Sequence, residues 1–166
     1  MPAARTSPLY PFTPKSITPL RPGQFWAIPL HNGRFACGRV LQINRQPDQY
    51  ALNNTRSFLA GLMSWTGDTE PTSAAIAGSH LLDQGQAHIK TIITTGGQIL
   101  GHRPLDLDNI QPLLWVTHRG GDTVYLYQGL SQLRPATDEE RTSMPLMSVW
   151  GYQFIDRIAN RELGSS

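Results

Sequence analysis

The run from Gly23 to Leu41 constrains this chain more than any other. Its two halves, Gln24-Phe25-Trp26-Ala27-Ile28-Pro29 and Phe35-Ala36-Cys37-Gly38-Arg39-Val40-Leu41, carry the aromatic and aliphatic residues that suit strands, and Asn32-Gly33 lies between them. Asn-Gly supplies two residues at positive φ, the requirement of a type I′ turn, so the sequence predicts a β-hairpin whose register is set locally. Gly38 interrupts the second strand where the apolar alternation slips from Phe35 and Cys37 to Val40. That predicts a β-bulge and a curled hairpin, and a curled hairpin is how a small barrel begins.

A chain of 166 residues is large enough to bury its own core without staples, and its single Cys37 has no partner for an intramolecular disulfide. No charged start followed by an apolar core marks a signal peptide, and no apolar run approaches the ~20 residues of a membrane span. The expected compartment is the reducing cytoplasm, with no membrane contact. The net charge of +2 is small but uneven, since residues 1–47 hold Arg5, Lys15, Arg21, Arg34, Arg39 and Arg45 and no acid. Arginine outnumbers lysine twelve to two. That balance suits planar recognition of carboxylate or phosphate, and GC-rich codon usage produces it equally well.

Prolines 2, 8, 11, 14, 19 and 22 crowd the start of the chain. They remove backbone donors and fix φ, so residues 1–22 are expected to be a partly disordered arm, with Tyr10 and Phe12 as the groups able to pin it to the body. Residues 23–166 are expected to form one β-rich domain. Gln49-Tyr50-Ala51-Leu52 suits a short third strand, and Asn53 or Asn54 suits the cap of a helix through Phe58, Leu59, Leu62 and Met63. Residues 73–95 fit helix or strand alike. Leu113–Thr117 and Val124–Tyr127 predict a second hairpin with a longer loop. Thr137-Asp138-Glu139-Glu140 reads as a helix start, Pro145 as a break, and Val149, Trp150, Phe154, Ile155 and Ile158 as the apolar stripe of a C-terminal helix over Met147–Arg161. The fold class is therefore β-rich α+β: a strongly bent antiparallel sheet or partly open small barrel with a C-terminal helix.

No arrangement of reactive groups points to catalysis. Cys37 sits mid-strand among small and apolar neighbours, whereas a catalytic thiol needs a basic partner or helix N-terminus to lower its pKa. His31, His80, His88, His102 and His118 are scattered singly, without the spacing of a metal shell. His102 with Asp106 and Asp108 is a conceivable acid/base set, but Pro104 intervenes and the acids fit a turn better. Gly96-Gly97 and Gly120-Gly121 lack the flanking residues of a phosphate loop. No cofactor or metal is expected.

Two segments carry a resemblance. Gly23, the Phe25-Trp26-Ala27-Ile28-Pro29-Leu30 run, the turn ending in Gly33-Arg34-Phe35, and then Cys37-Gly38-Arg39-Val40-Leu41 resemble the opening of the immunity protein 26 family of bacterial polymorphic-toxin systems. Gly97-Gln98-Ile99-Leu100-Gly101-His102-Arg103-Pro104-Leu105 is similar to the family's second short signature, a strand ending in an Ile-Gly-like step before a proline, without its usual aromatic. The resemblance implies a mostly β protein in the cytoplasm that binds and neutralises a co-encoded toxin domain without catalysis, and it carries no catalytic residues. Arg34, Arg39 and Arg45, in the acid-free stretch around the hairpin, are the candidates for pairing with a partner's carboxylates. The competing reading is a small β-barrel that binds nucleic acid or another ligand, with Phe25, Trp26, Arg34, Phe35 and Arg39 as a stacking platform.

Overall fold

The computed structural model describes residues 8–43, 56–119 and 121–165. Strands β1 (Gln24–Pro29) and β2 (Phe35–Gln42) form the predicted hairpin. Its turn is not type I′. The Leu30 N–H donates to the Arg34 carbonyl at 2.8 Å, the Gly33 N–H donates to the Leu30 carbonyl at 3.1 Å, and within the turn only Gly33 takes a positive φ, 84°. This is a three-residue loop closed by a left-handed glycine. Asn32 contributes through its side chain instead, its Oδ1 accepting the Arg34 N–H at 2.9 Å.

Strands β3 (Ser57–Gly67), β4 (Leu81–His88) and β5 (Ile99–His102) complete an antiparallel sheet in the order β4-β3-β2-β1-β5. The helix expected through Phe58, Leu59, Leu62 and Met63 is thus a strand, and the reason is burial on both faces. Phe58, Ala60 and Leu62 pack with Trp26, Ile28 and Val40, while Leu59 and Met63 pack on the opposite face with Phe25, Cys37 and Leu41. A strand covered on both sides reads as one apolar run, which contains a helix-like stripe by accident. The strand expected over 49–52 and the caps Asn53 and Asn54 fall outside the described residues. Of the ambiguous stretch 73–95, residues 81–88 are strand and Lys90–Ile93 make one helical turn, α1.

The irregularity expected at Gly38 lies on one side of β2 only. Pairing with β1 runs unbroken through Trp26↔Gly38, whereas pairing with β3 slips between Ala36 and Gly38 and again between Val40 and Gln42. Further slips occur at Phe25/Trp26 against β5 and at Leu62/Met63 against β4. Repeated slips curl the sheet without closing it. Gly38 has a second duty: a Cβ there would lie 2.4 Å from the Trp26 indole, which crosses the strand at that point.

The second predicted hairpin is present as β6 (Leu114–Val116) and β7 (Tyr125–Gln128), extended by β8 (Ser131–Pro135) into a three-stranded sheet. Its Trp115 and Tyr127 cover the Phe25, Cys37, Leu41, Leu59 and Met63 face of the first sheet. The other face is covered by α3 (Phe154–Leu163), which buries Ile155, Ile158 and Ala159. Helix α2 (Asp138–Ser143) starts at a capping box of Thr137 and Glu140, where the sequence places it.

The C-terminal helix begins seven residues later than Met147 because the intervening segment is tied down as an extended strap. The Val116 N–H donates to the Pro145 carbonyl at 2.9 Å and the Met147 N–H to the Val116 carbonyl at 2.7 Å; next along, the Gln86 N–H donates to the Ser148 carbonyl at 3.0 Å and the Trp150 N–H to the Gln86 carbonyl at 2.8 Å. One segment therefore stitches the β6 edge of the second sheet to the β4 edge of the first. Backbone bonds to two strands outcompete the helical ones that Val149 and Trp150 suggest. At the other end of the chain, residues 8–22 of the proline-rich arm lie against the body. Phe12 exchanges two backbone bonds with Ile99, at 3.1 and 2.8 Å, Leu20 is fully buried, and Gln24 Nε2 donates to Tyr10 Oη at 3.1 Å and to the Pro19 carbonyl at 3.0 Å.

Candidate partner-binding surface

The hairpin separates the arginines that the sequence groups together. Arg34 sits just before β2 at the rim, where its guanidinium donates to Asp68 Oδ1 at 2.9 Å and to Thr66 Oγ1 at 3.2 Å. Arg39 is 0% exposed. The alternation of β2 puts it on the same face as Cys37 and Leu41, beneath the covering second layer. Its Nη2 donates to the Arg103 carbonyl, while Nε and Nη1 find no partner among the described residues. Arg45 lies outside the described residues. Of the three predicted anchors, then, the described structure presents Arg34 at the surface and withdraws Arg39, whose position in the strand makes it an interior group.

The surroundings of Arg39 are electrostatically organised. Arg103 donates from Nε and Nη2 to the two carboxylate oxygens of Asp108, at 2.7 and 2.9 Å, and the Gly78 N–H donates to Asp108 Oδ1 at 3.0 Å. The Arg103 guanidinium, helped by that backbone donor, holds the Asp108 carboxyl down at about 2. Burial pushes the Cys37 thiol up to about 12 against the pull of Arg39, and burial likewise lowers the pKa of Arg39. A neutral, fully buried thiol is unreactive.

Three of the five members of the proposed stacking platform are interior as well, while Arg34 and Phe35 are half-buried. Phe25, Trp26 and Arg39 are buried; Trp26 donates its indole N–H to Thr95 Oγ1 at 3.0 Å and meets Phe58 edge-on, with ring centroids 6.0 Å apart. Phe25 and Trp26 are core, the commoner role of aromatic residues in strands, whereas Phe35 at the start of β2 is half-buried. His31 lies in the hairpin turn, His88 ends β4, and His102 contacts the Pro22 carbonyl at 3.0 Å through Nε2. Among the described residues no three His, Cys, Asp or Glu side chains converge as metal ligands would.

A feature absent from the sequence reading is a groove of about 520 Å³ where the arm passes the start of β3 and the β4–α1 junction. Lys15, Arg56 and Lys90 line it together with His88, and Pro14, Ile89 and Ile93 supply apolar wall. Among the described residues no acid lines it, and both lysines of the chain do. Tyr152 stands beside it, its ring 5.3 Å from that of His88 and 5.3 Å from Lys90 Nζ. Burial pushes the His88 pKa down, and the charges of Lys90 and Arg56 push it further the same way. The one signal for this site in the sequence is the scarcity of lysine; nothing local to Lys15, Arg56 or Lys90 tells that the fold joins them.

The sequence model of the immunity protein 26 family matches residues 21–122, and the chain belongs to that family of immunity proteins. The match runs from the residues just before β1 through β6, so it spans the whole five-stranded sheet, while β7, β8, α2 and α3 follow it. No curated protein matches the chain, and no solved structure does.

Proposed function

We propose that this protein protects a bacterial cell by forming a stoichiometric complex in the cytoplasm with a toxin domain encoded beside it, blocking the toxin's active site or its access to substrate. The observation that carries this reading is membership of the immunity protein 26 family across the sheet that organises the fold. The chemistry of the described residues agrees with a role in binding: Cys37 is buried and neutral, Asp108 is engaged by Arg103, and among the described residues no helix is long and apolar enough to cross a membrane. Neutralisation by occupancy needs a rigid scaffold and a complementary patch, with no reactive group and no cofactor. Arg34 and Arg45, from the acid-free stretch around the hairpin, are the proposed carboxylate-pairing anchors, whereas Arg39 is buried and out of a partner's reach.

Co-expression of the chain with the toxin domain from the adjacent reading frame tests this directly. The expected outcome is a 1:1 complex on co-purification and restored growth of cells expressing the toxin domain. Substituting each described histidine, or Cys37, by alanine should preserve protection wherever folding is intact. Absence of binding to any neighbouring toxin domain, together with salt-sensitive binding of single-stranded RNA or DNA, would replace this reading with that of a nucleic-acid module.

A further inference from the structure

We infer that the turn Leu105–Asp108 is the part of this chain that enters the toxin, with Leu107 in an apolar pocket and the Asp106 carboxylate against a cation at the pocket's rim, and that Arg39 is the positioning residue that holds the turn in shape. This rests on the immunity reading and gives it a contact point and a partner chemistry. The turn is a single 3-10 turn between β5 and β6, in which residues three apart eclipse. Leu105 and Asp108 accordingly share the inner side: Leu105 packs with the Phe25, Cys37 and Leu41 face of the first sheet, and Asp108 is held by the Arg103 fork and the Gly78 N–H. Asp106 and Leu107 are left facing out. Leu107 is 61% exposed, and among the described residues nothing engages the exposed Asp106 carboxylate. The backbone around them is closed, since the Asn109 N–H donates to the Asp106 carbonyl at 3.2 Å and the Ile110 N–H to the Leu105 carbonyl at 3.0 Å. An apolar side chain and a carboxylate thus stand side by side on a braced turn.

Arg39 supplies a second, independent observation. It is fully buried, and its Nε and Nη1 find no partner among the described residues. Asp108, the carboxylate whose charge reaches it, already gives its oxygens to Arg103 and Gly78. A buried cation with orphaned donors lowers stability relative to an apolar side chain of similar volume. What it supplies in return is its one hydrogen bond, from Nη2 to the Arg103 carbonyl. Arg103 leads into the turn and also carries the guanidinium that clamps Asp108, so this bond fixes both the start of the turn and its brace. A contact loop ordered before the encounter loses less entropy on binding, and that gain is realised only in the complex. Stability given up inside the free protein therefore returns as affinity at the turn that Arg39 positions.

The test compares the wild-type chain with Leu107→Ser, Asp106→Lys and Arg39→Met by thermal melts, by calorimetry against the toxin domain from the adjacent reading frame, and by amide hydrogen exchange. Leu107 and Asp106 are exposed, so those two variants should melt as wild type does while each loses toxin affinity by about tenfold or more. Arg39→Met, which keeps the volume and removes the charge, should melt at or above the wild-type temperature. Its Asn109 and Ile110 amides should nevertheless exchange about tenfold faster, and its toxin affinity should fall by a similar factor. Wild-type affinity in both Leu107→Ser and Asp106→Lys overturns the turn as the contact point and leaves the immunity reading standing. A loss in Leu107→Ser alone overturns the cation at the rim. Arg39→Met that melts well below wild type, or that keeps wild-type exchange at Asn109 and Ile110, overturns the positioning role. No toxin binding by the wild-type chain overturns both the turn and the immunity reading.

Discussion

The two sheets of this molecule meet water in different ways, and that difference separates what holds the fold from what is free to change. The five-stranded sheet is covered on both faces, by α3 and Leu20 on one side and by Trp115, Tyr127 and Ile76 on the other. Its buried amides are tied off: Gln84 donates to the Leu113 carbonyl at 2.9 Å and accepts the Leu113 N–H at 2.6 Å, and Gln24 reaches Tyr10 and Pro19. The three-stranded sheet covers the first with one face and leaves β8 exposed along its whole length. Buried strands transmit any change in volume to close-packed neighbours, whereas exposed ones let it dissipate.

Trp26 sets the upper end of this contrast. It is fully buried, donates to Thr95, and touches Phe58 and the open backbone of Gly38. Trp26→Ala should cost about 3–5 kcal/mol by the usual cost of truncating a buried aromatic, measured by denaturant unfolding. A loss below about 1 kcal/mol, the range of ordinary surface or half-buried sites, would mean that the double-covered sheet is less tightly packed than its burial implies. The reciprocal change is smaller. Gly38→Ala pushes a methyl into the same indole, and overpacking of this kind costs about 1–3 kcal/mol. Making both changes together should be less harmful than the sum, because alanine at 26 vacates the space that the new methyl needs.

The same contrast explains what was legible in the sequence. Both hairpins were, because each joins strands adjacent in the chain and the turn residues lie between them; the capping box of α2 was legible for the same reason of locality. β3 was not, since burial on both faces erases the period-two signal that distinguishes a strand from a helix. Arg39 carried a usable signal that its charge obscured: two residues from Cys37 and from Leu41, it falls on their face by strand alternation, and that face is interior. The C-terminal strap was hidden because its partners, Gln86 and Val116, are remote in sequence and bond it through backbone alone. The groove was the least legible feature, as Lys15, Arg56 and Lys90 meet only once the arm is laid along the body.

An intermediate effect belongs to the Arg103–Asp108 pair beside Arg39, at the margin between the two layers. The carboxyl of Asp108 is held at about 2, below its ordinary 3.8. A depressed carboxyl contributes stability that is complete above its unfolded pKa and disappears as pH falls through the folded one. The wild-type chain should therefore lose stability from this pair between about pH 4 and pH 2, as set by those two values. Asp108→Asn should be less stable than wild type at pH 7 and should flatten that part of the stability curve, read by thermal melts across pH. An unchanged acid limb in the variant would place the acid sensitivity elsewhere.

The smallest effect is expected on β8. Leu133 is 50% exposed in a strand without one buried residue, so it gives up little apolar area on replacement. Leu133→Ser should change stability by no more than about 0.5 kcal/mol, the usual limit for surface sites away from caps and networks. A larger loss would show that the outer strand is needed to hold Tyr127 and Trp115 against the first sheet, and the two layers would then have to be treated as one cooperative core. A negligible loss accompanied by weaker toxin binding would be more informative still. It would make the outer sheet a partner surface in its own right, for stability and binding part company only where a side chain touches the partner and not the core.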